Sequence, residues 1–255
     1  GMDYSRFLDC LASDFARLRA VVDTDLTAAV PSCPGWTVAD LTYHVGEVYL
    51  HKTLAIQEGV EPDTWPPKEL ADEDPIALLD RAYAGLRHEF SIHKPEDPAG
   101  SWYGPDQTVG FWIRRMAQET VIHRIDAELS TGQPVAPVPA DLALDGIDEL
   151  LKVFVAYGVA EWGSYFADIL NTSSGHTYTV RADGSAWRLQ TGPALFAVED
   201  GGGDDSAEVT VSGEPMAVLR WVWNRESAGE PSDVAVEGNA EAVEELRRCI
   251  VTATQ

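Results

Sequence analysis

Apolar residues recur at Phe7, Leu8, Leu11, Phe15, Leu18 and Val22, a spacing close to 3.6, which predicts a first helix from Tyr4 to about Val30. Pro31 and Pro34-Gly35 then break the chain. A second helix is expected from the segment Trp36-Thr37-Val38-Ala39-Asp40-Leu41 to about Glu58, stopping at Gly59. Thr37 is a good N-cap, Asp40 can reach back to close a capping box, and Trp36 and Leu41 stand at the two hydrophobic-staple positions. A third helix, near Asp74 to Ile92, carries Ile76, Leu79, Tyr83, Leu86 and Phe90 on one stripe. After the Pro- and Gly-bearing loop 93–106, a fourth spans about Gln107 to Leu129 and ends before Thr131-Gly132. Four helices joined by loops predict an up-down bundle.

The stretch Gln133 to Pro139 holds three prolines in seven residues and no period, and reads as an inter-domain linker. Beyond it, Ala140 to about Leu170 is helical and the pattern then changes to alternation. HTYTVRA (176–182), AWRLQT (186–191) and AEVTVS (207–212) are strand-like runs, separated by Asp-Gly-Ser and Gly-Gly-Gly-Asp-Asp turns. MAVLRWVW (216–223) reads as a short buried helix, DVAVEG as a strand, and Ala240 to Val251 as a terminal helix. The fold class expected is α+β: a helical bundle over residues 1–134, followed by a smaller α+β domain over 138–255. The one low-complexity piece is the acidic turn 199–205.

A length of 255 residues suits one or two domains, and 45% hydrophobic against 24% charged residues is a globular balance. The formal charge of −24 repels phosphate backbones and anionic headgroups, so nucleic-acid binding and a polybasic membrane role are disfavoured. It leaves room for an anionic small molecule, because a pocket can carry its own arginines. No stretch approaches the roughly 20 apolar residues of a membrane span. The N-terminal GMDYSRFLDCL is unlike a signal peptide, and Gly1 before Met2 reads as a remnant of tag removal. Cys10, Cys33 and Cys249 are odd in number and far apart, which argues against a disulfide framework and for the cytoplasm. With no exposed apolar seam in the pattern, the expected state is a monomer.

The chemistry concentrates on the fourth helix. Glu119 and His123 are four apart and so share a face about 6 Å apart. Arg115, Ile122, Asp126 and Trp112 fall on the same sector. One reading is a solvated face with a Glu–His pair and an Arg115–Glu119 ion pair. The other is half of a metal site, with Asp126 or Arg115 behind the ligands. His44 lies at the edge of the second helix's apolar stripe (Val38, Leu41, Val45, Val48) and is expected to look inward. A satisfied core histidine is the plain alternative. If helices two and four converge, two histidines and one glutamate leave a fourth position open, the ligand set of a catalytic zinc.

The segments CPGWTVADLTYHVGEV (33–48) and RRMAQETVIHRIDAE (114–128) together resemble the mycothiol-dependent maleylpyruvate isomerase family. The N-terminal domain of that family belongs to the DinB-like metal-binding bundles and is followed by a sterol-carrier-like α+β domain. The resemblance spans nearly the whole chain. It implies that His44, Glu119 and His123 bind a divalent metal, zinc first among candidates, and that mycothiol serves as the thiol cosubstrate. It implies an isomerase or thiol S-transferase acting on a small unsaturated or electrophilic carboxylate. A non-catalytic protein that binds a metal and a small ligand is the alternative. The family's active-site arginine near the end of a Leu/Trp-rich helix matches GEPMAVLRWVWNR (213–225) and nominates Arg225, with Arg220 competing. Asn224-Arg225 stands where the family often has Gly-Arg, so the local turn differs.

Other features carry plainer readings. His51 is two turns past His44, roughly 10 Å along the helix, too far for one coordination sphere. Cys33 has no nearby base or cation within its motif to lower its pKa. Most of the eight tryptophans fill cores, although Trp112 is placed to line a pocket.

Overall fold

The computed structural model describes residues 2–202 and 206–254. Backbone contacts divide the chain into two compact units, Met2–Ala136 and Pro137–Gln255. No helix among the described residues is long and apolar enough to cross a membrane.

The first unit holds α1 (Tyr4–Val22), α2 (Val38–Glu58), α3 (Pro75–Ile92) and α4 (Val109–Thr131). α1 is shorter than its pattern predicts. The Thr24 hydroxyl donates to the Val21 carbonyl at 2.7 Å, and the Asp25 carboxylate accepts from both the amide and the hydroxyl of Thr27. Such local bonds compete with helical ones and end the helix early. Val30, whose apolar character extended the expected helix, is instead buried beside an isolated bridge between Ala29 and Thr37. α2 begins as read: Thr37 and Asp40 form a reciprocal capping box, worth about 1 kcal/mol for the cap alone. Gly59 ends it with φ 75°, the left-handed conformation that glycine adopts without a Cβ penalty.

α1 packs along α4 and α2 along α3, with α2 also meeting α4. α4 is the central element. Every position from Val109 to Glu128 is buried except Arg114 and Glu119, which are half-buried. A helix covered on all sides usually reads as continuously apolar. This one carries Arg115, Gln118, Thr120, His123, Arg124, Asp126 and Glu128 into the interior. Buried polar groups must find partners there, and most find them on other elements of the unit.

One such group ties down the start of the linker. Arg124 bonds Asp14 at 3.2 Å, Glu128 at 2.7 Å and the Ala136 carbonyl at 2.8 Å, while the Ala136 amide donates to Glu128. The Pro134 carbonyl also accepts from Arg17. The first half of the expected linker is thus a strap docked on the bundle. Burial lifts the Asp14 carboxyl to about 6 even with the Arg124 charge opposing.

In the second unit α5 (Ala140–Glu149) runs through a wider π-type stretch at Leu150–Ala156 into α6 (Tyr157–Glu161). The helix breaks at Trp162, and α7 (Ala167–Leu170) follows a tight 3-10 turn. Five strands form one sheet in the order β3-β2-β1-β4-β5. β1 (Thr177–Ala182) pairs antiparallel with β2 (Ser185–Gly192) and parallel with β4 (Val209–Gly213). β5 (Ala235–Gly238) closes one edge, α8 (Pro215–Val222) links β4 to β5, and α9 (Ala240–Ala253) ends the chain.

The opposite edge, β3 (Leu195–Asp200), has no counterpart in the sequence reading. Gly192-Pro193 hides it, and as an edge strand it buries only Phe196. Residues 199 and 200 of the expected acidic turn belong to this strand, and 203–205 lie outside the described residues.

Candidate metal centre

Two helices of the first unit build the centre. His44 stands near the start of α2, and Glu119 and His123 stand one turn apart on α4. Each offers one donor atom, and the three donors lie within 4.8 Å of one another. The His123 Nε2 is 2.9 Å from Glu119 Oε1, and the His44 Nε2 is 3.5 Å from the same oxygen. The two imidazoles meet edge to face with centroids 5.1 Å apart. Among the described residues no fourth His, Cys, Asp or Glu joins this group. The three residues expected from the two motifs are therefore brought together; the Glu119–His123 and Arg115–Glu119 pairs of the alternative reading also form, but the face is not solvated, with His123 7% exposed and Arg115 5%.

The far side of each ring is held by a carboxylate. His123 Nδ1 lies 3.0 Å from Asp126 Oδ2, and Asp126 is fully buried and also accepts from the Ser32 hydroxyl. His44 Nδ1 lies 3.4 Å from Glu47 Oε1, and the second Glu47 oxygen accepts from Trp65 Nε1. Arg115 holds Glu119 Oε2 at 3.1 Å, leaving Oε1 toward the histidines. Trp36 packs its ring 5.1 Å from that of His44. Carboxylates on Nδ1 fix each ring so that Nε2 is the free donor, the usual arrangement behind a metal-bound imidazole.

The electrostatics point the same way. Burial pulls the His44 imidazole down, but the Glu119 and Glu47 carboxylates reverse this and hold it at about 9. His123 is likewise depressed by burial and raised on balance by Glu119 and Asp126. Burial pushes Glu119 up, and the two histidines with Arg115 bring it well below the usual carboxylate range. The cluster is thus built to hold positive charge between the imidazoles and Glu119. Two nitrogens and one carboxylate oxygen on rigid helices, each with outer support, fit a divalent cation of the borderline type, zinc included.

Asp126 and Arg115 were legible from helical spacing. Glu47 was not singled out, although its position three residues past His44 is the signal that finds it. Ser32 and Trp65 come from loops and had no such signal. His51 stays outside the cluster, its ring 5.4 Å from Trp65. Trp112 is fully buried, with its indole N–H on the Gly100 carbonyl at 2.8 Å. Cys10, Cys33 and Cys249 form no disulfide.

Arg225 and Arg220 belong to the second unit, just past and at the end of α8. Arg225 Nη1 donates to the Trp223 carbonyl at 2.8 Å, and Arg220 Nε donates to the Arg225 carbonyl at 2.9 Å. Asn224 takes φ 58°, a left-handed conformation that glycine adopts most easily and asparagine tolerates.

A helical bundle that aims two histidines and a glutamate at one point, joined to an α+β unit, defines a two-domain protein with a candidate metal centre in its bundle. Family models place it further. The mycothiol maleylpyruvate isomerase N-terminal domain matches residues 8–128, and the C-terminal domain of the same family matches 141–245. The chain belongs to the mycothiol maleylpyruvate isomerase family.

Among solved structures, the crystal structure of the mycothiol-dependent maleylpyruvate isomerase is similar at TM-score 0.64 and 16% identity, covering 92% of this chain and 93% of that one. A single-residue mutant of an enzyme of that name is similar at TM-score 0.66 and 15% identity, with the same coverage. These likenesses show a shared α+β fold over both units. A search of the curated proteins by sequence returns no match.

Proposed function

We propose that this protein is a metal- and mycothiol-dependent isomerase of a small unsaturated carboxylate. The observation that carries this reading is the three-donor set of His44, Glu119 and His123, backed by carboxylates and without a fourth donor among the described residues. A structural site would be closed by a fourth protein ligand, whereas a catalytic site keeps a position for an exchangeable group. Membership of the family supports the choice of thiol and of isomerisation.

A divalent cation at such a set lowers the pKa of a thiol or water, supplying a nucleophile near neutral pH. The chain's own groups then have distinct tasks. Asp126 and Glu47 hold the imidazoles by Nδ1 so that both Nε2 atoms face the centre. Arg115 occupies one Glu119 oxygen and keeps the other directed inward.

In the isomerisation the thiolate sulfur adds to one alkene carbon. The π pair moves onto the neighbouring carbon conjugated to a carbonyl, and a single bond replaces the double bond. Rotation follows, the pair returns, the C–S bond breaks and the thiolate is regenerated with no net proton or redox change. Arg225 is assigned to a substrate carboxylate on the family motif, since a guanidinium binds such a group bidentately.

The test is elemental analysis of freshly purified protein together with a mycothiol-dependent isomerisation assay, on wild type and His123→Ala. Loss of the ion and at least about a hundredfold loss of turnover are expected in the variant. Metal content and activity equal to wild type would remove the proposal.

A further inference from the structure

His44, Glu47 and His51 stand at i, i+3 and i+7 along α2 and so share one face of the helix. Trp65 lies on that face, carried by the loop that follows the Gly59 C-cap. Its indole N–H donates to Glu47 Oε2, and its ring meets the His51 ring edge to face, with centroids 5.4 Å apart and planes at 74°. His51, too far along the helix to reach the centre, is thus the wall against which the indole rests.

The loop has little else to hold it. No residue from Gly59 to Glu69 is buried, and Trp65 is half-buried. The loop's start is fixed where Gly100 backs onto Val60 and Glu61 so closely that a Cβ has no room. Beyond that point, among the described residues, the bond to Glu47 is the one hydrogen bond made by residues 62–66.

Glu47 needs the bond for a different reason. It reaches His44 Nδ1, 3.4 Å away, from the same helix, and a half-buried glutamate has several rotamers open to it. Its other close contact is Trp65, while the Lys52 charge acts on it from further off. With Oε2 held by the indole, Oε1 stays beside the imidazole and His44 Nε2 faces the centre. Without the indole N–H, the carboxylate is free to swing to water and release the ring.

We propose that Trp65 is a positioning residue of the metal centre: through Glu47 it sets the ring of His44, so that the ion and the 62–66 loop are coupled. The ion then favours docking of the loop by the factor with which the docked loop favours the ion. This rests on the metal reading of the triad and not on the isomerisation.

The experiment is competition for zinc against a chromophoric chelator at fixed pH, on wild type, Trp65→Phe, Trp65→Leu, Glu47→Gln and the combined Glu47→Gln and Trp65→Phe. Phenylalanine keeps a ring against His51 and removes the N–H, and leucine decides the matter if the first variant fails to fold. Each Trp65 variant should bind zinc about three- to tenfold more weakly, less than the loss on changing a carboxylate that touches a ligand. Added to Glu47→Gln, Trp65→Phe should change the affinity by less than about twofold, because the indole acts through that carboxylate. The indole N–H resonance of Trp65, assigned by its absence from Trp65→Phe, gives a second readout. Zinc should slow its exchange with water in wild type and not in Glu47→Gln.

Zinc affinities of both Trp65 variants within about twofold of wild type would overturn the assignment. So would full additivity of the two substitutions, or an indole N–H that ignores zinc. A wild type that binds no zinc would remove it together with the metal reading. If the coupling appears as expected but no isomerisation is found, the isomerase reading fails and this one stands.

Discussion

Replacing Asp126 by asparagine probes the centre without touching a donor. The carboxylate is fully buried, accepts the Ser32 hydroxyl through one oxygen, and faces His123 Nδ1 at 3.0 Å through the other. Asparagine keeps the volume but removes the charge, and a single amide cannot offer two acceptor oxygens to Ser32 and His123. In the metal-free protein the lost charge lowers the affinity of His123 for its proton. In the loaded protein it lowers the basicity of the same imidazole toward a doubly charged ion, so the metal loses more than the proton does.

Changes of this kind behind a ligand typically weaken metal binding about 10–100-fold, or about 1.4–2.7 kcal/mol. Competition for zinc against a chromophoric chelator at fixed pH measures it, and circular dichroism checks that the bundle remains folded. A dissociation constant within about twofold of wild type would refute the claim that Asp126 orients His123 for a cation.

The remaining expectations concern pH and the docked strap. Because His44 is held at about 9 in the metal-free protein, metal uptake at pH 7 must expel its proton. Zinc affinity should therefore rise by at least about tenfold per pH unit from 7 to near 9, since His123 is raised as well, and a flat profile in the same competition assay would contradict this. The sign for metal-free stability is opposite. A raised histidine pKa contributes stability that is complete below pH 6.5 and is lost as pH rises through about 9, so the metal-free thermal midpoint should fall across that window. Arg124→Met leaves the buried Asp14 carboxylate without its cation, leaves Glu128 with Arg17 as its one cation, and removes the bond to the Ala136 carbonyl. It should cost about 3–5 kcal/mol in urea denaturation, and an unchanged midpoint would show that the network carries little.

Much of the architecture is legible in residue order, because its signals are local. Thr37-Asp40 and Gly59 mark α2, Thr131-Gly132 marks the end of α4, and the change from a period near 3.6 to alternation marks the second unit. The i, i+4 spacing of Glu119 and His123 puts two donors on one face whatever the rest of the chain does, and the two motifs identify the family and its third donor. Local reasoning fails where a longer-range partner decides. Val30 looked helical but is claimed by the bridge near Thr37, and β3 is a strand only because β2 lies beside it.

What the amino-acid order determined by itself is therefore which segments are helices, where the fold class changes and which donors are available. Tertiary structure alone decided that α4 is enclosed on every side, so that its charges need partners. It alone brought Ser32 and Trp65, from loops, behind the carboxylates that support the donors. The reason is physical: periodicity and capping depend on neighbours within a few residues, whereas the cost of a buried charge depends on what other helices bring within a few ångström of it.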